Sequence, residues 1–406
     1  MRISTTQYFN MGVQAMNDQQ NTLAQLYQQL SSGVSIATPS DNPLGAAQAV
    51  QLSAQGATLS QYSDNQSTAL SSLQAEDSTL GSVSTVLTNI NTLLVRAGDG
   101  SLSDSDRNAI ATQLQGLRSQ LVTLGNATDA QGNYLFGGFQ STSAPFSTNA
   151  SGAVVYTGDA GDRTMQVAGT RDISTADNGA SVFQSVVTVG TSSIPSGNPA
   201  NIGTGVIGAV STTNAASASN SHTFSIAFSS ATTYTVTDQS TTPPTVSAPT
   251  PFTAGSAISL GGGQSVAITG APAAGDSFTV KPAAQAGTDV FATIDSLVKA
   301  LQTPVTGTAS SANLQNALTT GMAQLANTRN NVITVQASVG GREQEIQALQ
   351  AVTQTNSLQT QSNLADLTTT NLTTIVSQYT MTQNALQAAQ EGFAKIQNMS
   401  LFDYLN

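Results

Sequence analysis

The sequence predicts an α+β multidomain protein. Long antiparallel helices from both chain ends form a coiled-coil rod, and an all-β domain is inserted between them. Three observations predict this class. Apolar residues recur every seven positions toward both termini; the middle of the chain alternates in short runs broken by glycine and proline; and charged side chains are scarce. The 406 residues include 11 basic and 22 acidic ones, 8% charged in all, where an ordinary soluble chain has about 25%. Hydrophobic residues make up 39%, enough to bury a sizeable core.

The first seam is Val13, Met16, Leu23, Tyr27, Leu30 and Val34. These positions step alternately by three and four, with Gln20 in the one polar slot, as a heptad requires. Gly33 opens a breaker stretch that runs to Asp41, Asn42 and Pro43. There the Asn side chain caps a new helix, and proline at the first helical position needs no donor. Leu52, Leu59, Leu73, Leu80, Leu87 and Leu94 then recur every seven, with Gln66 as the gap. They mark one helix of roughly 55 residues, about 80 Å at ~1.5 Å per residue, ending near Gly98 and Gly100. Ser103 with Asp106 reads as a capping box, and Ile110, Leu114, Leu117, Leu121 and Leu124 carry the helix that follows. The short connection makes the two helices antiparallel neighbours. Asp104 and Asp106 read as helix-dipole partners, not as a metal site.

Beyond Asn126 the pattern shifts. Residues 133–139 read as a strand and turn, and 154–156 and 165–167 as a pair of strands around the 158–162 turn. Between 180 and 270 the only charged residue is Asp238. Alternating runs at 182–189, 223–228, 233–236, 257–260, 265–268 and 277–280 predict a small all-β domain. Residues 241–251 carry too much proline for an interior strand and read as a loop. Disorder is the competing reading of this middle stretch. Helix resumes at Asp289, with Ile294, Leu297 and Leu301 leading to Pro304. Leu318, Leu325, Val332, Val339 and Ile346 extend a second helix to about 350–355. A last seam runs Leu372, Ile375, Tyr379, Thr382, Leu386, Ala389, Phe393 and Ile396. The expected domains are 1–36 with 360–406 as a terminal coiled coil, 43–171 with 287–356 as a helical rod bearing a β-hairpin, and 172–286 as the inserted β domain.

Composition narrows the chemistry. A net charge of −11 argues against partners that need a basic footprint, so neither nucleic acid nor an anionic membrane is expected. Cysteine is absent and histidine occurs once, as His222. Disulfides, thiol nucleophiles, zinc–thiolate and multi-histidine sites are thereby excluded. His222 reads as an exposed surface residue, since no base–nucleophile constellation surrounds it. Residues 203–208 spell G-x-G-x-x-G but follow no clear strand and precede no acidic residue at dinucleotide spacing, so they read as a turn. Gly261–Gly263 lack the lysine of a phosphate loop. Glu343 and Glu345, two apart on a helix, diverge and read as a solvated face near Arg342. No catalytic, cofactor or metal residue is expected, and the chain does not read as an enzyme. The first residues lack the apolar run of a secretory signal, and no stretch approaches the ~20 apolar residues of a membrane helix.

The two terminal seams are the expected interface: Val13, Met16, Leu23, Tyr27, Leu30 and Val34 on one side, and Leu372, Ile375, Tyr379, Leu386, Phe393, Ile396, Leu401 and Phe402 on the other. A helix of ~22–25 residues with few ion pairs is marginal by propensity, so its stability comes from packing its stripe. Either neighbouring copies cover what the pair leaves open, or an intramolecular bundle covers it all.

Several segments carry a resemblance. They are residues 1–5, Gln29-Leu30-Ser31-Ser32-Gly33 with Pro39-Ser40-Asp41, residues 129–138 (Asp-Ala-Gln-Gly-Asn-Tyr-Leu-Phe-Gly-Gly), Val339-Gly340-Gly341-Arg342, Ala388-Ala389-Gln390 and residues 400–405 (Ser-Leu-Phe-Asp-Tyr-Leu). In this order and position they resemble the flagellin-like axial proteins of the bacterial flagellum, and junction subunits more than filament subunits. The stretch 271–280 is similar to one used in that family's insert domains. The resemblance covers about 1–140 and 271–406. Val34 and Ser35 stand where the family shows two basic residues, and Asp41-Asn42-Pro43 where it shows Asp-Asp-Pro. The resemblance implies an extracellular structural subunit at the hook–filament junction. It would be exported by the flagellar type III apparatus without a cleaved signal and assemble through its terminal helices. The implied partners are copies of itself in a helical tube, the second hook-associated junction protein, flagellin or the filament cap, and a cytoplasmic export chaperone on the C-terminal helices. No cofactor, nucleic acid or membrane is implied. Flagellin is the nearest alternative; a secreted carbohydrate-binding adhesin or hydrolase is the alternative from another class.

Overall fold

The computed structural model describes residues 5–36, 38–187 and 191–398. Among these, helices α1 (Thr5–Ser32), α2 (Pro43–Ala97) and α3 (Asp104–Gly125) come first. Strands β1 (Phe146–Thr148), β2 (Val154–Tyr156), β3 (Arg163–Ala168) and β4 (Arg171–Ala176) precede the short helix α4 (Gly179–Phe183). The insertion holds β5 (Ile194–Gly197), β6 (Val206–Ile207), β7 (Ser211–Thr212), β8 (Phe224–Ser230), β9 (Thr233–Asp238), β10 (Thr245–Val246), β11 (Thr250–Pro251), β12 (Ala257–Leu260), β13 (Gln264–Thr269) and β14 (Ser277–Lys281). Helices α5 (Val290–Gln302), α6 (Thr308–Thr368) and α7 (Leu372–Asn398) close the chain. Two compact units result, 1–64 with 350–406 and 65–349; α2 and α6 each contribute to both.

In the second unit the heptad leucines form the core. Leu73, Leu80, Leu87 and Leu94 of α2 and Leu318, Leu325, Val332, Val339 and Ile346 of α6 are buried, with Ile110, Leu114 and Leu121 of α3 and Ile294 and Leu297 of α5 in the same cluster. Each such side chain contributes about 1.5–3 kcal/mol by leaving water. The polar gap in the α2 repeat has a physical cause: Gln66 is buried, and its amide donates to the Val167 carbonyl of β3 at 2.7 Å. Ser103 and Asp106 close the capping box that starts α3. The rings of Phe136, Phe146, Phe183 and Phe291 interlock, mostly edge-on or tilted. Gly125 of α3 permits this, because a Cβ there would lie 2.8 Å from the Phe146 ring.

The insertion has a core of its own. One antiparallel sheet runs β10-β9-β8-β14-β5, with β11 also on β9; the other runs β12-β13-β6, with β7 also on β13. Phe224, Ile226, Phe228, Phe278 and Val280 of the first sheet bury against Ile258, Leu260, Val266 and Ile268 of the second, the period-2 alternation of a sandwich. The turn before β14 is held by the buried Asp276, whose carboxylate accepts from the Ile202, Gly203 and Ala273 N–H groups at 2.8–3.4 Å.

One face of α6 fastens the insertion through polar side chains. Asn316 accepts from Ile207 N–H at 2.8 Å and donates to the Gly205 carbonyl at 3.0 Å. Asn327 accepts from and donates to the Ser192 backbone. Asn313, Thr320, Gln324 and Asn331 donate to carbonyls at 199 and 201, 195, 286 and 287, and 181 and 182. Their spacing of three and four keeps all six on one side of the helix.

Several sequence expectations are corrected. Residues 133–139 form turns with one isolated bridge, Thr128 to Tyr134, not a strand. Strands at 154–156 and 163–168 exist but do not pair with each other: β2 pairs with β1, and β3 with β4. Residues 182–183 end helix α4, because the Asn178 side chain accepts from Ser181 N–H and caps it; 188–190 lie outside the described residues. The proline-rich 241–251 contains β10 and β11, both on the outer edge of β9, where a missing N–H is tolerated. Helix α6 continues to Thr368, past the expected stop near 350–355.

Candidate assembly surface

In the first unit α1 and α7 pack as an antiparallel pair. Phe9 meets Phe393 at one end with ring centroids 5.1 Å apart, and at the other Thr370 N–H donates to the Gly33 carbonyl at 3.0 Å. Gly12 lets the Phe393 ring approach, since a Cβ there would lie 3.3 Å from it. On α1, Val13, Met16, Leu23 and Leu30 are half-buried. The most enclosed residue is Leu26, 8% exposed, whereas Tyr27 is 63% exposed and points away. Tyr27, a heptad-seam position, is thus left outside the pair, and Leu26, off the seam, is enclosed by it. On α7, Ile375, Tyr379, Leu386 and Phe393 are half-buried and Leu372 is exposed. The side chain of Ile396, and Leu401 and Phe402 entirely, lie outside the described residues.

The helix-to-helix connectors are built from short polar contacts. Val34, itself exposed, bridges to Thr369, and Ser35 N–H donates to the Thr368 carbonyl at 2.7 Å. Asp41 accepts from Thr38 N–H at 2.8 Å, Asn42 accepts from Gly45 N–H at 2.9 Å, and Pro43 is the first residue of α2.

What the pair leaves uncovered is nearly uncharged, with large apolar side chains among amides and hydroxyls. Phe9, Met11 and Tyr27 on α1 and Leu372, Val376 and Met381 on α7 are exposed, as are Leu44, Val50, Val352 and Leu358 on the stretches of α2 and α6 in the same unit. Asp18 is the sole charged residue of α1, and Glu391 and Lys395 are those of α7. A face with so few charges gains by burial of area, not by ion pairing, and exposed large apolar side chains on it are the groups that association would bury.

The other candidate positions are structural. His222 is not free on the surface: it is part-buried, and its Nδ1 lies 2.7 Å from Asp238 Oδ2. Burial works to raise the Asp238 carboxyl, but hydrogen bonds from His222 and the Ser240 N–H hold it below the usual range. The glycine pattern at 203–208 is not a turn alone: Val206–Ile207 form β6 on β13, and Asp276 holds the approach to it by accepting from Gly203 N–H. Glu345 is not a free solvated carboxylate near Arg342. It forms a two-pronged pair with Arg171, at 2.5 and 2.7 Å, while Arg342 pairs with Asp177. Among the described residues no group of three or more His, Cys, Asp or Glu side chains is placed to hold a metal ion, and no helix is long and apolar enough to cross a membrane.

A chain whose two terminal helices pair, with long helices next to them in sequence and a β domain inserted between those, is of the axial, flagellin-like class of protein. The model of the bacterial flagellin N-terminal helical region matches residues 3–141. The flagellar hook-associated protein 3 of Salmonella typhimurium is 37% identical over 186 residues, 46% of this chain and 58% of that protein. The chain thus spans little more than half the length of the curated relative it matches. The crystal structure of FlgL from Xanthomonas campestris superposes with a TM-score of 0.68 at 30% identity, covering 76% of this chain and 98% of that one. Hook-associated protein 3 of Legionella pneumophila gives 0.68 at 25% identity, covering 78% and 98%. The chain belongs to the hook-associated protein 3 (FlgL) family of flagellin-like proteins.

Proposed function

We propose that this chain is a structural subunit of the bacterial flagellum that joins hook to filament, and that it has no catalytic role. Family membership supports the location, and the half-covered α1–α7 pair supports the mechanism. The interface is Val13, Met16, Leu23, Tyr27, Leu30 and Val34 with Leu372, Ile375, Tyr379, Leu386, Phe393, Ile396, Leu401 and Phe402. Residues 1–36 with 360–406 form the inner layer of a tubular array, 43–171 with 287–356 the next, and 172–286 face outward. Copies contact head to tail, since unlike surfaces in contact generate open helical arrays. The remaining partners are the second junction protein, flagellin or the filament cap, and, before export through the flagellar channel, a chaperone on the C-terminal helices.

The observation that carries this reading is the exposed apolar set Phe9, Met11, Tyr27, Leu372, Val376 and Met381. Met381→Asp, which places a charge in that exposed set, tests it. The variant is expected to leave the second unit folded by circular dichroism and to fail to complement motility in cells lacking the chain. Filaments attached at normal frequency in that variant would overturn the mechanism.

A further inference from the structure

Hairpin β3–β4 is strapped to two long helices at once. Toward α2, Asn65 and Gln66 donate to the carbonyls of Gln166 and Val167, and the Asp177 N–H donates to Glu76 Oε1 at 3.1 Å. Toward α6, Arg342 pairs with Asp177 and donates to the Ser174 carbonyl at 3.1 Å, and one turn on Arg171 grips Glu345. The centre of this joint is Glu76, fully buried, with Oε2 lacking any hydrogen-bond partner. The charged groups of the joint are Glu76 and Asp77 from α2, Arg171, Asp172 and Asp177 from the hairpin, and Arg342, Glu343 and Glu345 from α6. Asp177 and Arg342 act on Glu76 directly, and Arg342 is already committed to Asp177.

A carboxylate in this position would be desolvated, would face the like charge of Asp177 and would have no free cation. Its neutral form escapes the charge penalties and keeps only the smaller cost of a buried polar group. We propose that this joint is a proton-dependent latch: the β3–β4 strap is closed on α2 and α6 while Glu76 holds its proton and is released when Glu76 ionises. Burial, with the Asp177 charge second, pushes the Glu76 carboxyl up from 4.5 to about 8. In an opened strap water restores the ordinary value. The closed state therefore binds a proton that the open state gives up anywhere between those limits. In that window the latch weakens as pH rises, by up to about tenfold in the opening constant per pH unit. Below the window both states are protonated, and above it both are ionised, so opening is flat. Glu343, raised by burial and by Asp77, lies in the same joint and titrates in the same direction.

The test compares hydrogen exchange of residues 163–178 in the full-length protein and in Glu76→Gln from pH 5 to 9, with intrinsic exchange divided out. The wild type is expected to lose protection progressively as pH rises, at least tenfold between pH 5.5 and 7.5, while the variant keeps only the shallower slope that Glu343 contributes. Equal slopes in the two proteins would overturn the latch. A carbon-13 titration of the Glu76 carboxyl in the wild type stands independently of any variant: a midpoint more than two pH units above the ordinary value supports the latch, and a midpoint near 4.5 contradicts it.

Discussion

Val34 and Thr369 form an antiparallel β-bridge between the two helix connectors. It is flanked by hydrogen bonds from Ser35 N–H to the Thr368 carbonyl and from Thr370 N–H to the Gly33 carbonyl, and Ser35 Oγ adds a third to the Leu367 carbonyl. The stretches that lead out of α1 and into α7 are thus tied to each other by backbone, and side-chain charge plays no part. The bridge fixes where the terminal pair begins.

Thr370→Pro removes one of the flanking donors. A lost backbone hydrogen bond costs about 0.5–1.5 kcal/mol, and more if the freed carbonyl stays buried. Limited proteolysis at 33–42 and 366–371 is expected to speed up several-fold, with cleavage in 65–349 unchanged. Unaltered cleavage at the connectors would show that the bridge is incidental.

Asp276→Ala strips three N–H groups of one buried acceptor. Hydrogen bonds to a charged group contribute about 1.5–3 kcal/mol each, and they do not add fully, so roughly 3 kcal/mol of the insertion's stability is at stake. Hydrogen exchange of 224–238 and 264–281 is expected to accelerate by about two orders of magnitude, while that of 73–94 holds. A change of less than threefold would contradict the role given to Asp276.

Asn327→Ala leaves both backbone groups of Ser192 without their partner. An expected loss of about 2 kcal/mol should appear in denaturant unfolding as a lower midpoint with an unchanged slope. Asn330→Ala, at an exposed neighbouring position, should cost only the difference in helix propensity, which favours alanine. Equal effects at the two positions would refute the fastening role of the α6 amides.

Asp159 accepts from the Phe139, Gly161 and Gln140 N–H groups. The first two hold its carboxyl below the ordinary 3.8, against a small opposing effect of desolvation. The folded value is depressed, so its contribution is complete above the ordinary value and is lost as pH falls below it. Protection of the 137–161 turn should therefore drop below about pH 4 in the wild type and be pH-independent but weaker in Asp159→Ala. A wild-type turn with no acid-side loss would contradict this.

Helices were legible because their signals are local. The leucines at 73, 80, 87 and 94 announce one buried stripe, and Ser103 with Asp106 announces the α3 start, each without reference to the rest of the chain. Strands β12, β13 and β14 were legible from alternation over four to six residues. Pairing was not. The three-residue β2 carries no periodicity that prefers β1 over β3, and its choice follows from Phe146 packing into the aromatic cluster. Residues 133–139 look like a strand because Leu135 and Phe136 are apolar, yet those side chains are buried from a chain of turns. Asn313 to Asn331 read as solvated surface, since an amide that satisfies a distant carbonyl looks in sequence like one facing water. At the candidate assembly surface the heptad located the two helices, but not that Leu26 is the most enclosed residue of α1 while its neighbour Tyr27 stays exposed, since which side of a stripe a partner helix covers depends on that partner.

The most direct measurement is hydrogen exchange of residues 5–32 and 372–395 in the isolated chain and in assembled junctions. Exchange in the isolated chain should be at least a hundredfold faster than at 73–94, and it should slow to the rate of those residues on assembly. Protection of the terminal helices in the monomer equal to that of 73–94, unchanged on assembly, would contradict the claim that their apolar faces are completed by neighbouring copies.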